Sequence, residues 1–360
     1  MEDMPEMMIA GPGEMHPEDL AIMGEQLIAH YGDTWVAIHN ETIDLLARLL
    51  GADAPYLMPG TGTTCLDAAF MNLFEPGQTV VVANTGFFGA RLVEVAAAQR
   101  LNVIEVPVAI GTPADPAARG DAARASGAAG VLLTHVDTST GTRHPIEETA
   151  RATHDAGAIL LVDGIASVGG ELCDVDAMGI DALVTSTQKG MEAPPGLGVI
   201  ALGAGGRARI AARSEPVPSW YYDLARWDWY RSDWKHHPHP VTFPSPPTLA
   251  LRSSLKRILD VGLETWVARR AQLAQHTRDG LVSLGLEPVA QPGAQANMVV
   301  AAYTDDAAAI VASVLTQGIQ ISGGLAPLAG KTIRIGLMGR TATGTMVDRV
   351  LDAIARARKE

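Results

Sequence analysis

The stretches AILLVDG (158–164), DALVTSTQKG (181–190) and GLGVIAL (196–202) are three short apolar runs, each bordered by a polar or glycine-rich turn. Their apolar residues show little alternation, which is typical of strands in a parallel sheet covered by helices on both faces. Similar runs precede them, so the sequence predicts repeated strand–helix units from about residue 55 to about residue 202. The predicted strands are Gln78–Asn84, Asn102–Val108, Gly130–His135, Ala158–Asp163, Ala182–Ser186 and Gly198–Leu202. The predicted helices between them are Cys65–Phe74, Ala90–Arg100 and Ile146–Ala156.

A stretch rich in tryptophan and proline follows this α/β region. It contains Trp220, Trp227, Trp229 and Trp234, and then five prolines between residues 238 and 247. This proline density predicts a loop and domain hinge instead of a regular helix. The chain beyond it is predicted to form helices at about 248–260 and 263–284, then strand Met298–Ala302, helix Ala307–Gln317, strand Thr332–Leu337 and a last helix. We therefore predict an N-terminal segment (1–25), a large domain (26–255) and a smaller C-terminal α/β domain (256–360).

Composition excludes several classes of function. The 360 residues include 27 Lys and Arg against 40 Asp and Glu, and the net charge of −13 would repel a nucleic-acid backbone. The two cysteines, Cys65 and Cys173, form no CxxC pair, which argues against a disulfide framework or a cysteine zinc site and favours a reducing compartment. The start, Met1 to Met4, is acidic, and no apolar run reaches the ~18–20 residues that span a bilayer. We expect a cytoplasmic protein with no membrane or nucleic-acid partner.

Two polar residues follow neighbouring predicted strands and are candidates for chemistry. Lys189 is the only one of the five lysines inside the predicted α/β region. Asp163 ends the strand before it, and ligands of open α/β sheets bind at the carboxyl ends of strands. A partly desolvated lysine can form a Schiff base, and pyridoxal-phosphate sites pair the ring nitrogen with an acidic side chain. A surface lysine and a turn-capping aspartate are the alternatives that these two positions leave open.

A candidate phosphate site precedes the first predicted helix. The turn Gly60-Thr61-Gly62-Thr63-Thr64 leads directly into Cys65–Phe74, and backbone N–H groups at a helix start favour an anion. The turn matches neither the GxGxxG fingerprint nor the Walker loop, which argues against a nucleotide. A plain helix cap remains the alternative.

Three further patterns are weaker. His236, His237 and His239 have no acidic or cysteine partner at ligand spacing, so we expect no metal site. Gly164–Gly169 is similar to the nucleophile elbow of serine hydrolases, but Ile165 stands where that motif needs glycine. The tryptophans are more typical of domain-interface packing than of base stacking in a chain with this charge.

Taken together, these motifs resemble the class V aminotransferases, specifically the alanine–glyoxylate, serine–pyruvate and 2-aminoethylphosphonate–pyruvate branch. The segments that carry the resemblance, in order, are Gly11-Pro12-Gly13, THVDTSTG (134–141), LVDGIASVGG (161–170), TQKGMEAPPG (187–196), Ser219-Trp220-Tyr221 and IRIGLMG (333–339). The resemblance implies the type I pyridoxal-phosphate fold, a homodimer with active sites at the subunit interface, and transfer of an amino group from alanine or serine to glyoxylate or pyruvate.

The resemblance also implies roles for individual residues. Lys189 matches the Schiff-base lysine, Asp163 the partner of the pyridine nitrogen, and Arg334 the arginine that binds the substrate carboxylate. The implied cofactor contacts are Thr61, Gly62, Thr63 and Gln188 near the phosphate, Phe88 and Ile165 on either side of the ring, and Thr242 from the other subunit. Thr138 and Gly11 are the further implied substrate contacts, and Tyr31 is a candidate to line the pocket from the partner subunit.

Three positions depart from the family pattern. Phe88 stands where tryptophan is frequent, Thr63 where histidine can occur, and Glu192 where asparagine is common. Glu192 is the least expected, because a carboxylate near Lys189 would repel an anionic amino donor or recognise a cationic one. The sequence leaves that choice open, as it does the physiological donor and acceptor.

Two rival functions remain at this point. A pyridoxal-phosphate-dependent lyase such as a cysteine desulfurase would share Lys189 and Asp163, although neither Cys65 nor Cys173 stands where a mobile cysteine nucleophile is needed. A non-catalytic module that binds a phosphorylated ligand or a protein has little support, because it has no need of a lysine and an aspartate at neighbouring strand ends.

Overall fold

The computed structural model describes residues 4–359. The first three residues of the predicted N-terminal segment and the last residue of the predicted small domain therefore lie outside the described residues. The helices, in chain order, are α1 (Pro17–Met23), α2 (Asp33–Leu50), α3 (Gly62–Leu73), α4 (Phe87–Ala98), α5 (Pro116–Ser126), α6 (Ile146–Asp155), α7 (Ala204–Ala211), α8 (Leu224–Ser232), α9 (Ser245–Val261), α10 (Leu263–Ser283), α11 (Ala307–Thr316) and α12 (Gly344–Ala357). The strands are β1 (Glu6–Met7), β2 (Tyr56–Pro59), β3 (Thr79–Asn84), β4 (Asn102–Pro107), β5 (Gly130–Thr134), β6 (Val136–Asp137), β7 (Thr142–Arg143), β8 (Ile159–Asp163), β9 (Ala182–Ser186), β10 (Leu197–Leu202), β11 (Val299–Tyr303), β12 (Ile319–Gln320), β13 (Ser322–Gly323) and β14 (Thr332–Gly336).

The central element is a seven-stranded sheet in the order β2-β10-β9-β8-β5-β3-β4. Neighbouring strands from β9 to β4 are parallel, whereas β10 is antiparallel to both β9 and β2. Every residue of β5, β9 and β10 is buried, as expected for strands covered by helices on both faces. The six predicted strands and the mostly parallel α/β architecture are confirmed, and β2 is an additional edge strand that the sequence reading did not identify.

A second, smaller sheet lies in the C-terminal part of the chain. Strands β11, β14 and β13 are antiparallel neighbours, and α10, α11 and α12 pack their apolar residues into the same buried cluster. The apolar stripe of α12, with Val347, Val350 and Ile354 buried, follows the spacing that predicted this last helix. The N-terminal strand β1 joins this part of the molecule by pairing with β12, so the first described residues meet the last third of the chain.

The tryptophan-rich stretch corrects one prediction. Residues Leu224–Ser232 form α8, whose first turn is capped by Asp223, with the Ala225 N–H donating to its side chain at 3.1 Å. The prediction that this stretch contains no regular helix is wrong here, because the first of the prolines stands at residue 238, beyond the end of α8. The later prolines do not end a helix either: Pro246 and Pro247 lie in the first turn of α9, where a missing N–H costs nothing.

No helix among residues 4–359 is long and apolar enough to cross a membrane.

Candidate active site

The parallel direction of the strands gathers the polar residues at one edge of the large sheet. The segments after β2, β3, β5, β8 and β9 all begin at the carboxyl edge, because these strands point the same way. The residues that these segments bring to this edge are Thr61, Gly62, Thr63, Phe88, Thr138, Asp163, Ile165, Gln188 and Lys189. Arg334 reaches the site from β14, and Gly11 reaches it from the N-terminal segment. Thr242 lies on an exposed part of the loop before α9.

Lys189 is enclosed by the N-terminal segment. Its Nζ donates a hydrogen bond to the Ala10 carbonyl oxygen at 2.5 Å. Gly11 has φ +98°, and a Cβ atom there would overlap Nζ and lie 2.5 Å from Cδ of the lysine, so only glycine allows this close approach. Burial lowers the pKa of Lys189 to about 8; the positive charges of Arg334 and Arg91 add to the decrease, and Asp163 opposes it. A neutral, nucleophilic amine is therefore accessible near neutral pH.

Asp163 is buried at the end of β8, one strand from Lys189 in the sheet. Its Oδ1 accepts a hydrogen bond from the Ile165 N–H at 3.0 Å. Burial raises the pKa of Asp163 to about 6, which the Ile165 N–H opposes, and the nearby charge of Asp137 raises it further. A cation brought against this carboxylate would relieve the cost of burying it, and a protonated ring nitrogen is such a cation.

The start of α3 presents unpaired donors. Thr61 and Thr64 satisfy each other, because each side-chain oxygen accepts from the other residue's backbone N–H at 3.2 Å. The N–H groups of Gly62 and Thr63, the first two residues of the helix, have no hydrogen-bond partner within residues 4–359. Nearby, the Ser186 hydroxyl is buried without a partner, 3.3 Å from where a Cβ of Gly62 would stand. This donor-lined helix start suits a phosphate group.

Ile165 and Phe88 lie in segments that begin at the same edge of the sheet as this helix start. A Cβ at Gly62 would lie 2.7 Å from Ile165 Cγ1, so the glycine lets the isoleucine pack directly against the helix. Phe88 stands in the first turn of α4, with the Arg91 guanidinium 5.0 Å from its ring centroid. The Gln188 side-chain oxygen is buried without a hydrogen-bond partner in the described part of the chain. These features fit a planar cofactor with a phosphate arm.

Asp137 is a residue of this site that the sequence reading missed. Its Oδ2 accepts from the Thr85 hydroxyl and from the N–H groups of Phe88 and Gly89, at 3.0–3.2 Å. Its Oδ1 accepts from both the N–H and the hydroxyl of Ser139. Asp137 therefore caps α4 from another segment and fixes the position of Phe88. Its place in the THVDTSTG stretch was visible, but its partner helix lies about 50 residues upstream, a distance that local patterns do not span.

Arg334 is held with part of its guanidinium free. Nε donates to the Gly323 carbonyl at 2.8 Å and Nη1 to the Thr138 carbonyl at 3.2 Å, while burial lowers the pKa of Arg334 and Asp137 opposes that decrease. Nη2 has no hydrogen-bond partner among the described residues, and a guanidinium edge of this kind can bind a carboxylate. The backbone carbonyl of Thr138 meets Arg334, and the expected contact of Thr138 with the substrate stays a prediction.

Glu192 is not free to meet a substrate charge. The side chain is 1% exposed, Oε2 accepts from His16 Nε2 at 3.0 Å, and Oε1 accepts from the Gly339 N–H at 3.0 Å and from Arg270. Both choices that the sequence left open for Glu192, repelling an anionic donor or attracting a cationic one, need a carboxylate that faces the pocket. The buried ion pair with Arg270 removes that premise.

The remaining candidates are Tyr31, the histidine cluster and the two cysteines. Tyr31 is exposed and its ring stacks on that of His237, with ring centroids 6.3 Å apart. Within residues 4–359 no three His, Cys, Asp or Glu side chains are arranged to hold a metal. Cys65 and Cys173 are buried, and burial raises the pKa of both thiols, that of Cys173 to about 12. Neither is a mobile thiolate of the kind a desulfurase needs.

A half-buried lysine and a buried carboxylate at the carboxyl edge of such a sheet, beside a helix start that suits an anion, define a pyridoxal-phosphate enzyme of fold type I. Residues 23–350 match the family model described as Aminotransferase class-V. The chain is 32% identical to an uncharacterized aminotransferase of Methanocaldococcus jannaschii (92% of this chain, 87% of the relative) and 31% identical to the alanine–glyoxylate aminotransferase of Oryctolagus cuniculus (98% and 93%). The crystal structure of ureidoglycine–glyoxylate aminotransferase from Bacillus subtilis superposes with a TM-score of 0.93 at 28% identity, covering 99% of this chain and 93% of that one.

The chain therefore belongs to the class V aminotransferase family, and the resemblance seen in its motifs is confirmed.

Proposed function

We propose that this aminotransferase uses pyridoxal phosphate, attached through Lys189, to move an amino group from a small amino acid, alanine or serine, to glyoxylate or pyruvate. The observation that carries the proposal is the half-buried Lys189 amine, which donates to the Ala10 carbonyl and whose pKa is lowered to about 8 by desolvation and the Arg334 charge, with Asp163 opposing. A lysine poised in this way serves both as the attachment point and as a base near neutral pH.

The remaining residues are assigned by what they can hold. Gly62 and Thr63 donate backbone N–H groups to the phosphate, with Thr61 and Gln188 beside it and Thr242 supplied by a second subunit. Phe88 and Ile165 border the two faces of the ring, and Asp163 keeps the proton on the ring nitrogen. When bound, the cofactor supplies an electron sink that makes the α-hydrogen of an amino acid acidic and carries the amino group between substrates.

Lys189 and Arg334 then divide the work on the substrate. Arg334 would bind the α-carboxylate through its free edge, with Gly11 and Thr138 beside the same space. The Lys189 Nζ would accept the α-proton of the substrate. Glu192 is paired with Arg270 and is therefore not available to a cationic substrate. Small monocarboxylic amino acids suit this arrangement, and the names of the alanine–glyoxylate relatives point to the same class.

We also propose a cytoplasmic homodimer whose subunits divide into a segment (1–25), a large domain (26–255) and a small domain (256–360). The exposed side chains of Tyr31, Trp220, Trp229 and Trp234 are candidates for the subunit contact. The exposed position of Thr242 leaves its hydroxyl available to a neighbouring subunit. Sedimentation equilibrium tests the dimer, and an active mixture of inactive K189A and T242V subunits would support sites shared between subunits, because one site of a mixed dimer then has both residues.

A panel of half-reactions tests the function. Purified holoenzyme is mixed separately with alanine, serine, glycine, aspartate and 2-aminoethylphosphonate while the visible absorbance of the bound cofactor is followed. Bleaching by alanine or serine, reversed by glyoxylate or pyruvate, is the expected result. K189A should retain the cofactor through gel filtration and lose turnover.

Each other outcome has a definite meaning. Bleaching by 2-aminoethylphosphonate alone would move the enzyme to the phosphonate branch. Recovery of the absorbance without an oxo acid, with release of ammonia, would establish a lyase and end the transaminase assignment to these substrates.

A further inference from the structure

Glu192 closes the turn that carries Lys189. Its N–H donates to the Lys189 carbonyl at 3.0 Å, and its backbone is in the left-handed region with φ +55°. A glutamate is uncommon in that region and persists only where surrounding contacts hold it. The turn geometry next to the reactive lysine therefore depends on what the Glu192 side chain binds.

The Glu192 carboxylate reaches across to the segment that follows the strand carrying Arg334. Its Oε1 accepts from the Gly339 N–H at 3.0 Å, and Gly339 stands three residues after the end of β14. Gly339 in turn packs against the N-terminal segment, where the Arg340 N–H donates to the Glu14 carbonyl at 3.0 Å. One side chain thus ties the lysine turn to the segment that follows the arginine strand.

The ion pair between Glu192 and Arg270 also connects the lysine turn to the loop after Asp163. Arg270 pairs with Glu192, donates to the Ala342 carbonyl at 3.3 Å and lies 4.8 Å from the Trp266 ring centroid. Trp266 Nε1 donates to the Gly169 carbonyl at 2.9 Å, in the loop that follows β8. A buried ion pair adds little stability compared with apolar packing. We therefore expect the Glu192–Arg270 pair to matter for the positions of the segments that it connects.

We propose that Glu192 is a positioning residue that sets the separation between Lys189 Nζ and the Arg334 guanidinium, an inference that rests on the proposed transamination. The α-carboxylate of the substrate must sit on Arg334 while its α-hydrogen faces Nζ. Only a fixed separation of these two groups satisfies both conditions, and a misplacement of ~1 Å at such a site can cost up to about a hundredfold in rate. The length of the Glu192 side chain, more than its charge, maintains that separation.

Three variants separate length from charge. E192D keeps the charge and suits the left-handed backbone, but is one methylene too short to reach both Gly339 and Arg270. E192Q/R270M keeps the length and an oxygen for the Gly339 N–H, and leaves no unpaired charge buried. E171D is the matched control, because Glu171 is also buried, pairs with Arg143 at 3.4 Å and accepts from the Asn297 N–H at 2.8 Å, but bonds to neither the lysine turn nor the arginine strand.

The measurement is the rate of the alanine half-reaction per bound cofactor, with α-deuterated alanine run in parallel. E192D should be slower by about ten- to a hundredfold with a larger deuterium isotope effect, because transfer of the α-proton becomes limiting. E192Q/R270M should recover most of the rate, and E171D should keep the wild-type rate and isotope effect. Melting temperatures of the apoproteins should fall alike in E192D and E171D, and the cofactor dissociation constants of the two variants, measured alongside, should be similar.

Equal rates and isotope effects in E192D and E171D would overturn the inference, as would E192Q/R270M being as slow as E192D. If E192D does not fold, E192N/R270M replaces it, since it breaks the same bond to Gly339 without leaving a buried charge. A wild-type enzyme that fails to react with any donor of the panel would instead overturn the proposed function, before any variant is compared.

Discussion

The lowered pKa of Lys189 predicts a pH profile for its reaction as a free amine. With the pKa at about 8, roughly one Lys189 amine in ten is neutral at pH 7, against about three in ten thousand at the ordinary lysine value of 10.5. The neutral fraction at pH 7 is thus about 300-fold larger than for an ordinary lysine. Burial makes the largest contribution, and the Arg334 charge adds to it.

Competitive labelling measures the neutral fraction of the Lys189 amine directly. The apoprotein is treated with trace acetic anhydride from pH 6 to 11, and labelling of Lys189 is quantified by mass spectrometry relative to the exposed Lys331. Labelling of Lys189 should be half-maximal at about pH 8. In R334M the half-point should move to higher pH because a repelling positive charge is lost, and in D163N it should move lower because a stabilising negative charge is lost.

A half-point near pH 10 would refute the reasoning, since it would mean that burial does not desolvate the amine. A half-point near 8 that does not respond to R334M would refute the second part, that the Arg334 charge acts on Nζ. The loss of carboxylate binding in R334M does not interfere, because no substrate is present.

Three other outcomes follow from the structure. D137N should lower the free energy of unfolding by about 3 kcal/mol in urea titrations. The variant loses charged hydrogen bonds to the start of α4, and its NH₂ group faces the N–H donors of that helix. An unchanged free energy of unfolding would contradict the capping role of Asp137. G62A should weaken cofactor binding at least about tenfold, because the added methyl group pushes Ile165 toward the place of the cofactor ring. G344A, at the open start of α12, should leave cofactor binding unchanged. Equal dissociation constants for the two variants would refute the role of the Gly62–Ile165 contact. The melting temperature should fall as pH drops from about 6.5 to 4, because over this range the unfolded chain binds protons on imidazoles that burial keeps neutral in the fold. The two buried carboxyl groups with raised pKa values have the opposite effect on stability, but the buried imidazoles outnumber them. The buried imidazoles are those of His39, His135, His144 and His239, with pKa values lowered to about 3 or 4. A melting temperature that is constant over this range would contradict their burial as neutral groups.

Strand positions in the large sheet could be predicted because buried parallel strands leave a local signal, a short apolar run with a turn at each end. Lys189 and Asp163 were found for the same reason, since each is adjacent in sequence to its strand. Proline density does not bear on α8, because the prolines lie beyond its end and Asp223 stands in front of it as a recognisable cap. Proline restricts its own position and the one before it, and has no effect ten residues away.

The parts of the site that could not be predicted all depend on contacts distant in sequence. The Ala10 carbonyl meets Lys189 across 179 residues, and Glu192 meets Gly339 across 147. Residue type alone did not distinguish a Glu192 that faces substrate from one neutralised by Arg270. The role of Glu192 depends on how α10 packs against the lysine turn, and no local sequence pattern indicates that packing.

The pairing of β1 with β12 joins a segment that is synthesised early to one that is synthesised late. Residues Glu6 and Met7 leave the ribosome about 300 residues before Ile319 and Gln320, and the Ala10 carbonyl that meets Lys189 lies just beyond β1. The large sheet has all its strands once residue 202 has been made, so it can form while the N-terminal segment still lacks a partner. During synthesis, the active site therefore cannot be completed before β12 and β14 have been made. A chain stalled before residue 319 can contain Lys189, Asp163 and the α3 helix start, but neither the Arg334 strand nor the partner of β1, and it should bind cofactor poorly and turn over nothing.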